Sequence, residues 1–364
     1  MNRYFYYLLA VNMVAHIITS VPMVLFEARK EGAIVSMILS LGAGSLVMYW
    51  MTRIFNRFPG KGYPELLKEY TSKWIAKPLL FCTVLVWFTA GLITLITYSQ
   101  LLKRFLNPDM PIMGIISMML VFVSFGILMN SKSVLYTVEV VFLISIPFTI
   151  FIFAKMYVDK GMNWDFVREA MMYIEHMPDY PAFAAAVYVV LGPANLIIFN
   201  RVFTNKQTMS WKQLLVIVIT GIFALFTSYF IPIGFQGFKN IDLLVHPWFL
   251  TADSIRMKFG FIERVLFMFA LLSLSIAFLS ILIHWHVAIE LLKNIIWFKK
   301  LQWKGYNLTP WLFVAVFWVC SLIVIPYLTE FQLYTYTEYA LDLVFPFIFV
   351  LLLSLLWIRR RAKA

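Results

Sequence analysis

Two interruptions of long apolar stretches contain the residues of this chain best suited to binding a small molecule. They consist of Thr19, Ser20, Val21 and Pro22 in the first stretch and of Gly192, Pro193, Ala194 and Asn195 in a later one. A proline removes a backbone donor from a helix and clashes with the carbonyl four residues before it. At membrane depth, the freed groups are tolerated only where protein or a water-filled cavity satisfies them. Breaks at corresponding places in two halves of a chain are typical of transporter binding sites.

The chemistry at these breaks suits an amino acid-like ligand. An unwound segment exposes amides and carbonyls, and the half-helix after it directs its positive end toward the pocket, where it favours a carboxylate. Thr19 and Ser20 offer hydroxyl donors, whereas Asn195 offers both a donor and an acceptor. Gly192 would let a ligand approach the backbone closely.

A structural interpretation of the same residues stays open. Pro22 and Pro193 could simply kink helices that their neighbours accommodate. The pairing of the two breaks, rather than either one alone, favours binding. Tyr98 in the third apolar stretch could close the pocket, or it could be a packing or interface aromatic.

Ionisable residues at membrane depth are functional candidates. His16 precedes the first break by about one turn, and Glu139 lies about two turns into the fifth stretch with no basic partner evident in the sequence. A buried pair of these two could give a pH response, but a neutral, hydrogen-bonded His16 is the favoured alternative.

Other polar motifs predict no catalytic or metal centre. His286 and Glu290 share a helical face by their spacing, but His284 points elsewhere, and no further ligand with zinc-site spacing is visible. Hydrolytic triads, phosphate-binding loops and dinucleotide fingerprints are absent from the sequence. We therefore predict no enzyme, no metal and no cofactor.

The composition indicates an all-α integral membrane protein. Of the 364 residues, 62% are hydrophobic and 13% are charged, and the mean hydropathy is +0.84. A soluble domain has about 25% charged residues. The net charge of +12 comes from basic residues in short segments between apolar stretches, which indicates membrane-flanking charge rather than nucleic-acid binding. Both cysteines, Cys82 and Cys320, fall inside apolar stretches and are predicted to pack as small apolar residues.

The apolar stretches predict ten transmembrane helices, since each crossing needs about 20 apolar residues. The predicted limits are Tyr4–Phe26, Gly32–Met51, Pro78–Leu101, Ile112–Met129, Ser133–Phe153, Phe183–Phe203, Leu214–Ile233, Val265–Ile289, Leu308–Tyr327 and Tyr339–Ile358.

The distribution of Lys and Arg places both termini in the cytoplasm. With this orientation the inner side holds 19 of the 30 basic residues, namely Arg3, Arg53, Arg57, Lys61, Lys68, Lys73, Lys77, Lys132, Arg201, Lys206, Lys212, Lys293, Lys299, Lys300, Lys304, Arg359, Arg360, Arg361 and Lys363.

Two outer segments are predicted to be structured. Residues 163–177 place Trp164, Val167, Met171 and Ile174 on one helical face, which predicts a short helix on the membrane surface or across the pocket mouth. Residues 234–263 are long enough for a structured cap.

Three motifs, in their order and spacing, resemble those of a known family. They are a basic Phe-Pro-Gly-Lys turn followed by an acidic short helix, an Asn-Pro turn after the third span, and a His-Pro-Trp segment with a later Glu-Arg pair. Here they read Arg57-Phe58-Pro59-Gly60-Lys61 with Glu65-Leu66-Leu67-Lys68-Glu69, Asn107-Pro108-Asp109-Met110-Pro111-Ile112, and His246-Pro247-Trp248 with Phe261-Ile262-Glu263-Arg264-Val265. With its proline-ended first span, the chain resembles the B subunits of spore germinant receptors (GerAB-type), in the amino acid–polyamine–organocation transporter superfamily.

The resemblance implies two inverted five-helix repeats, residues 4–153 and 183–358, with broken helices one and six around a pocket. It also implies nutrient sensing in the inner membrane of a bacterial spore, together with an A subunit and a lipoprotein C subunit. Two alternatives remain: an autonomous amino acid transporter that uses the same pocket, and a structural subunit with a vestigial one. The latter stays open because no glycine precedes the first break and no acidic residue lies at the second.

Overall fold

The computed structural model describes residues 2–257, 263–303 and 305–362, and these residues are mostly helical. The first half contains α1 (Arg3–His16), α2 (Ser20–Glu27), α3 (Ala33–Phe55), α4 (Tyr63–Tyr70), α5 (Lys73–Phe105), α6 (Ile112–Ile127), α7 (Ser131–Val158) and α8 (Trp164–Met171). The second half contains α9 (Tyr180–Val190), α10 (Leu196–Phe199), α11 (Trp211–Gln236), α12 (Pro247–Ser254), α13 (Val265–Ile295), the antiparallel strands β1 (Gln302–Trp303) and β2 (Tyr306–Asn307), α14 (Thr309–Val324) and α15 (Glu330–Arg361).

The prediction of an α-helical membrane protein is confirmed. Among the described residues, seven helices are long and apolar enough to cross a membrane, and two bent helix pairs raise that number to nine. Helix α6, with 16 residues, is apolar but shorter. It spans about 24 Å at 1.5 Å per residue, against a hydrocarbon thickness of about 30 Å. Each predicted span coincides with one of these elements, while the arrangement in two inverted repeats stays a prediction.

Several helices extend beyond the predicted apolar limits, because polar flanking residues continue the helix after the apolar stretch has ended. For α5 the sequence predicts Pro78–Leu101, whereas the helix runs over Lys73–Phe105, which adds about a turn at each end. Helix ends are fixed by side-chain caps: Ser210 and Gln213 form a capping box at α11, as do Thr329 and Gln332 at α15. Such caps satisfy first-turn amides that have no partner within the helix.

Helix α13 is the most buried of the seven long helices and packs against α1, α5, α6 and α7. Its core-facing surface carries large side chains such as Trp285, which is 1% exposed and donates to the Phe88 carbonyl on α5. In contrast, α7 presents most of its apolar surface outward. This contrast is expected of a bundle whose inner helices are buried by protein and whose outer helices face lipid.

Asn2 and Arg361, near the two ends of the chain, lie on the same face of the bundle. We call it the basic face, and it also contains Gly60, Tyr70, Phe203 and Gln207. The Asn2 amide donates to Gln207, and Arg361 donates to the Tyr70 carbonyl. The turn between α3 and α4 joins the same face, because the Gly60 amide donates to the Phe203 carbonyl. The even number of crossings that the charge pattern predicts requires this arrangement.

Both segments that the sequence predicts to be structured contain helices. Helix α8 and a following 3-10 turn (Met172–Glu175) form the short helix, whose Trp164 remains 49% exposed. The cap contains α12, whose Trp248 is buried and donates to the Ser228 carbonyl. Residues 258–262, including part of the predicted Phe-Ile-Glu-Arg motif, lie outside the described residues, as do Lys304 and Lys363.

Candidate functional site

The structure breaks two helices close to the predicted positions. Helices α1 and α2 meet at Ile17–Thr19 with a 52° bend, and α9 ends before a 3-10 turn (Gly192–Asn195) with a 60° bend. Pro22 lies within the first turn of α2, and Pro193 lies within the first turn after Leu191. A first-turn amide has no partner within its helix, so proline is tolerated there. The first break thus precedes Pro22 instead of lying at it.

Polar side chains from the opposite half of the chain satisfy the carbonyls that the breaks set free. Asn12 on α1 donates from Nδ2 to the Tyr188 and Val189 carbonyls of α9, at 2.7 and 3.1 Å. In return, the Ser228 hydroxyl on α11 donates to the Ile17 carbonyl at 2.6 Å. Buried backbone groups must be paired, and this exchange ties the two breaks into one structural unit.

Asn195 and Gly192 hold the second break in shape. The Asn195 Oδ1 atom accepts from Trp87 Nε1 at 2.7 Å, and its Nδ2 atom donates to the Gly192 carbonyl at 3.0 Å. A Cβ atom on Gly192 would come within 2.6 Å of the Leu8 carbonyl oxygen and 2.7 Å of the Leu9 Cα atom. The glycine therefore permits α1 to pack against the break, which is a different reason from ligand approach.

A cavity of about 250 Å³ lies beside the breaks. Five helical elements contribute to its wall: the end of α1, the start of α2, α5, α9 and α15. The lining residues are His16, Ser20, Leu85, Val86, Thr89, Ala90, Ile93, Thr94, Tyr188, Thr337, Ala340, Leu341, Leu343 and Val344. The wall is mostly apolar, and its polar residues are His16, Ser20, Tyr188 and the three threonines Thr89, Thr94 and Thr337.

His16 and Tyr188 line the cavity, and both lie next to His284. The His16 ring lies 4.6 Å from the Tyr188 ring and 6.2 Å from the His284 ring, centroid to centroid. His284 has the Ser280 carbonyl 2.7 Å from Nδ1, so a neutral ring donates there and accepts from the Tyr188 hydroxyl at Nε2, 3.2 Å away. His16 is only 4% exposed, and within the described part of the chain its Nε2 atom has no hydrogen-bond partner. An unpaired buried nitrogen beside a cavity is suited to meeting a polar group of a ligand.

The structure brings some of the predicted site residues to the cavity and places others elsewhere. Ser20 lines it directly, and Ala194 and Asn195 line a smaller void between Asn12, Trp87 and His284. The residues that do not line the larger cavity are Thr19, Val21, Pro22, Tyr98, Gly192 and Pro193. Tyr98, one turn beyond Thr94 on α5, is 1% exposed, and its hydroxyl is unpaired among the described residues.

Glu139 has a basic partner that its sequence neighbourhood does not reveal. Arg3 Nε lies 3.0 Å from Glu139 Oε1, and the carboxylate side chain is 13% exposed. The partner comes from the N-terminus because α1 packs along α7. Glu139 and His16 therefore form no pair, since His16 lies against Tyr188 and His284.

His286 and Glu290 each have separate partners. The His286 ring bonds Ser131 Oγ at 2.9 Å and the Ile127 carbonyl at 3.0 Å. Glu290 pairs with Arg201 at 2.8 Å and with Lys293 at 2.6 Å. His286 and Glu290 share a helical face, as the sequence indicates, but they bind different partners: His286 joins α13 to α6 and α7, and Glu290 joins α13 to Arg201.

Sequence reasoning missed Asn12, Trp87, Tyr188 and Ser228. Each is a single polar or amphipathic residue within an apolar stretch. Asn12, Trp87 and Ser228 each bond a partner more than one hundred positions away, and Tyr188 lies near the end of α9. Asn12 carried the strongest available signal, because an asparagine inside a membrane span must find hydrogen-bond partners. The identity of those partners follows from the packing of the two halves.

Residues 3–329 match the Spore_permease family, described as spore germination proteins. The chain belongs to this family. The matched range includes both breaks and every cavity residue that precedes α15. No curated protein matches the chain. Members of the spore germination protein family are permease- or receptor-type membrane proteins and not enzymes, in agreement with the sequence prediction at that level.

Proposed function

We propose that this protein is the nutrient-sensing membrane subunit of a spore germinant receptor. Its family membership and the cavity beside two broken helices support this role, and the cavity wall made by His16, Ser20 and Tyr188 is the observation that carries it. Occupation of the cavity by a small, amino acid-like nutrient would favour one of two conformations, because a ligand shifts an equilibrium only when it binds one state more tightly.

We propose the fold to be ten spans in two inverted five-helix repeats, residues 4–153 and 183–358. Helix α6, an apolar helix of 16 residues, would be the tenth span. The reciprocal bonds of Asn12 and Ser228 support the repeat, because each half supplies the side chain that the break in the other half needs.

Polar residues of the cavity wall provide the contacts that a nutrient would use. Ser20 is the first residue of α2, so the unpaired amides of that helix start next to the cavity wall and favour a negatively charged or hydrogen-bond-accepting group. His16 Nε2 and the Tyr188 hydroxyl add two side-chain contacts. The apolar remainder of the wall would enclose an aliphatic part.

In this proposal the protein acts in the inner membrane of the spore with an A subunit and a lipoprotein C subunit. The partner subunits would read the conformation of the two bent pairs. Because a carrier needs the same ligand preference for one state, the experiment below separates a sensor from an autonomous amino acid transporter.

The test is a comparison of Tyr188→Phe with Tyr157→Phe in spores. Tyr188→Phe removes only a hydroxyl at the cavity, whereas Tyr157 bonds Thr227 away from it. One lost hydrogen bond, worth about 0.5–1.5 kcal/mol, should raise the nutrient concentration for half-maximal germination about twofold to tenfold. Tyr157→Phe should leave it unchanged, with equal protein levels by immunoblot.

Equal responses of the two variants would refute the cavity as the nutrient site. Liposomes holding the purified protein provide the second arm. Amino acid accumulation driven by a proton or sodium gradient, and weakened by Tyr188→Phe, would establish the transporter instead of the sensor.

A further inference from the structure

The cavity has its exposed residues on one side, between α5 and α15. Leu85 on α5 is 48% exposed and Leu343 on α15 is 70% exposed. Their neighbours in the wall, Thr89, Ile93 and Ala340, are half-buried. In contrast, the residues contributed by α1, α2 and α9 are all buried. The wall is therefore open where two outward-facing helices meet.

This gap between α5 and α15 lies near the middle of the bundle. Thr89 is sixteen residues from each end of α5, which corresponds to about 24 Å in either direction along the helix. That distance places the gap within a hydrocarbon layer about 30 Å thick. The exposed residues Leu85 and Leu343 would accordingly contact lipid chains and not water.

The cavity is closed toward the face opposite the basic face. Arg104 at the end of α5 pairs with Glu330 at the start of α15, at 2.5 Å, and Gln100 donates to the Leu328 carbonyl. The Tyr334 hydroxyl on α15 also bonds the cap, at the Val245 carbonyl and at His246 Nδ1. These contacts join α5, α15 and the cap across the end of the cavity.

Bonds also close the cavity toward the basic face. Trp87 donates to Asn195 across α5 and the second break. Further along α15, Ile348 and Leu351 are 2% and 0% exposed, and Ser354 bonds Tyr63 of α4. In the described part of the chain, no Asp, Glu, Lys or Arg lines the cavity.

We propose that the gap between α5 and α15 is a lateral portal, through which small uncharged molecules dissolved in the bilayer reach the cavity. The apolar wall suits such molecules, and His16 Nε2 offers one polar contact. The portal does not depend on the identity of the nutrient, because it follows from exposure and packing alone.

An apolar photoreactive probe, an iodophenyl trifluoromethyl diazirine dissolved in the vesicle lipid, tests the portal directly. Illumination expels nitrogen, and the resulting carbene inserts into nearby bonds, which mass spectrometry locates. With the full-length protein in phosphatidylcholine vesicles, we expect labelling of the buried cavity residues Ser20, Thr94 and Tyr188. Phe26, which is 0% exposed and lies outside the cavity wall, should remain unlabelled.

Bulky substitutions at the mouth provide the matched comparison. Ala340→Trp and Leu343→Trp should each lower cavity labelling at least fivefold, because they fill the gap. Val350→Trp should not change it, since Val350 lies on the same exposed stripe of α15 as Leu343, two turns away from the mouth, and is 50% exposed. Leu343→Trp also covers the case in which Ala340→Trp fails to fold, because its position is already open.

Two results would overturn the proposal. One is labelling of Leu343 and Val350 with none at Ser20, Thr94 and Tyr188. The other is cavity labelling that both mouth substitutions leave unchanged while the proteins remain folded. Loss of nutrient response would not affect either readout, so the portal and the sensing role can fail separately.

Discussion

At the scale of single residues, uncharged side chains stabilise the two helix breaks by hydrogen bonding the backbone. Asn12 and Ser228 satisfy freed carbonyls, and Asn195 fixes the second break by bonding both Trp87 and the Gly192 carbonyl. These bonds pair backbone carbonyls at both breaks with side-chain donors. His16 lines the cavity, and its Nε2 atom has no hydrogen-bond partner among the described residues.

Gly192→Ala should destabilise the protein, because the added Cβ atom would come within 2.6 Å of the Leu8 carbonyl oxygen on α1. We expect a loss of about 1–3 kcal/mol, as for other overpacked sites, seen as a lower melting temperature in detergent. The control is Gly42→Ala, where a Cβ atom meets nothing within 4 Å. That substitution should be neutral or stabilise α3, since alanine is the better helix former. Equal melting temperatures for the two variants would contradict the packing role of Gly192.

At the scale of elements, the cap is connected to the first break. Trp248 of α12 donates to the Ser228 carbonyl, and the Ser228 hydroxyl donates to the Ile17 carbonyl between α1 and α2. The cap also contacts α15 through His246, whose Nδ1 atom lies 2.6 Å from the Tyr334 hydroxyl and whose Nε2 atom lies 3.6 Å from Glu330 Oε2. Movement of the cap would therefore reach both a break and one wall of the cavity.

Acidification should weaken the cap. Burial lowers the pKa of His246 below its usual range, although the nearby Glu330 carboxylate offsets part of this and Arg104 adds to it. The unfolded chain then binds a proton more readily than the folded one, so stability falls as the pH drops below about 6.5. We expect the melting temperature to decrease between pH 7 and pH 5.

The comparison for this effect is His246→Gln, which keeps a polar side chain but cannot titrate in this range. Its melting temperature should depend less on pH than that of the unsubstituted protein. A control at the exposed His176, by His176→Gln, should retain the original dependence. Identical pH profiles for all three proteins would exclude His246 as the source.

At the scale of the whole molecule, basic residues on one face act both as membrane-flanking charge and as structural ties. Arg201, which follows the second break, pairs with Glu65 of α4 at 2.7 Å and with Glu290 of α13 at 2.8 Å. These side chains are between 17% and 39% exposed. They join the turn region of the first half to the second half at the membrane surface.

The basic face should be cytoplasmic. In a Cys82→Ala, Cys320→Ala background, Ala362→Cys should react with a membrane-impermeant maleimide only after the membrane is permeabilised. Glu175→Cys, in the 3-10 turn after α8, should react in intact cells. Reaction of Ala362→Cys from outside would reverse the orientation inferred from the charges.

The sequence by itself determined the class of the protein, the positions of its spans and the neighbourhood of the two breaks. These features depend on local properties: the length of an apolar stretch, the flanking charge, and a proline that lacks an amide proton. The sequence also determined the short outer helix and the presence of a structured cap, because amphipathic spacing and segment length are local as well. The sequence did not determine the exact position of the bend at Ile17–Thr19, because a proline is also tolerated in the first turn of the helix that follows a break.

Only the tertiary structure decided which residues meet at the cavity. Asn12 finds carbonyls 176 and 177 positions away, and Trp87 finds Asn195 at a separation of 108. The cavity wall includes residues of α5 and α15, which the two breaks alone do not indicate. Glu139 forms an ion pair with Arg3, which lies at the N-terminal end of the same half of the chain. These partners depend on how helices cross in three dimensions, and helix packing follows the shape of whole surfaces that no short stretch of sequence specifies.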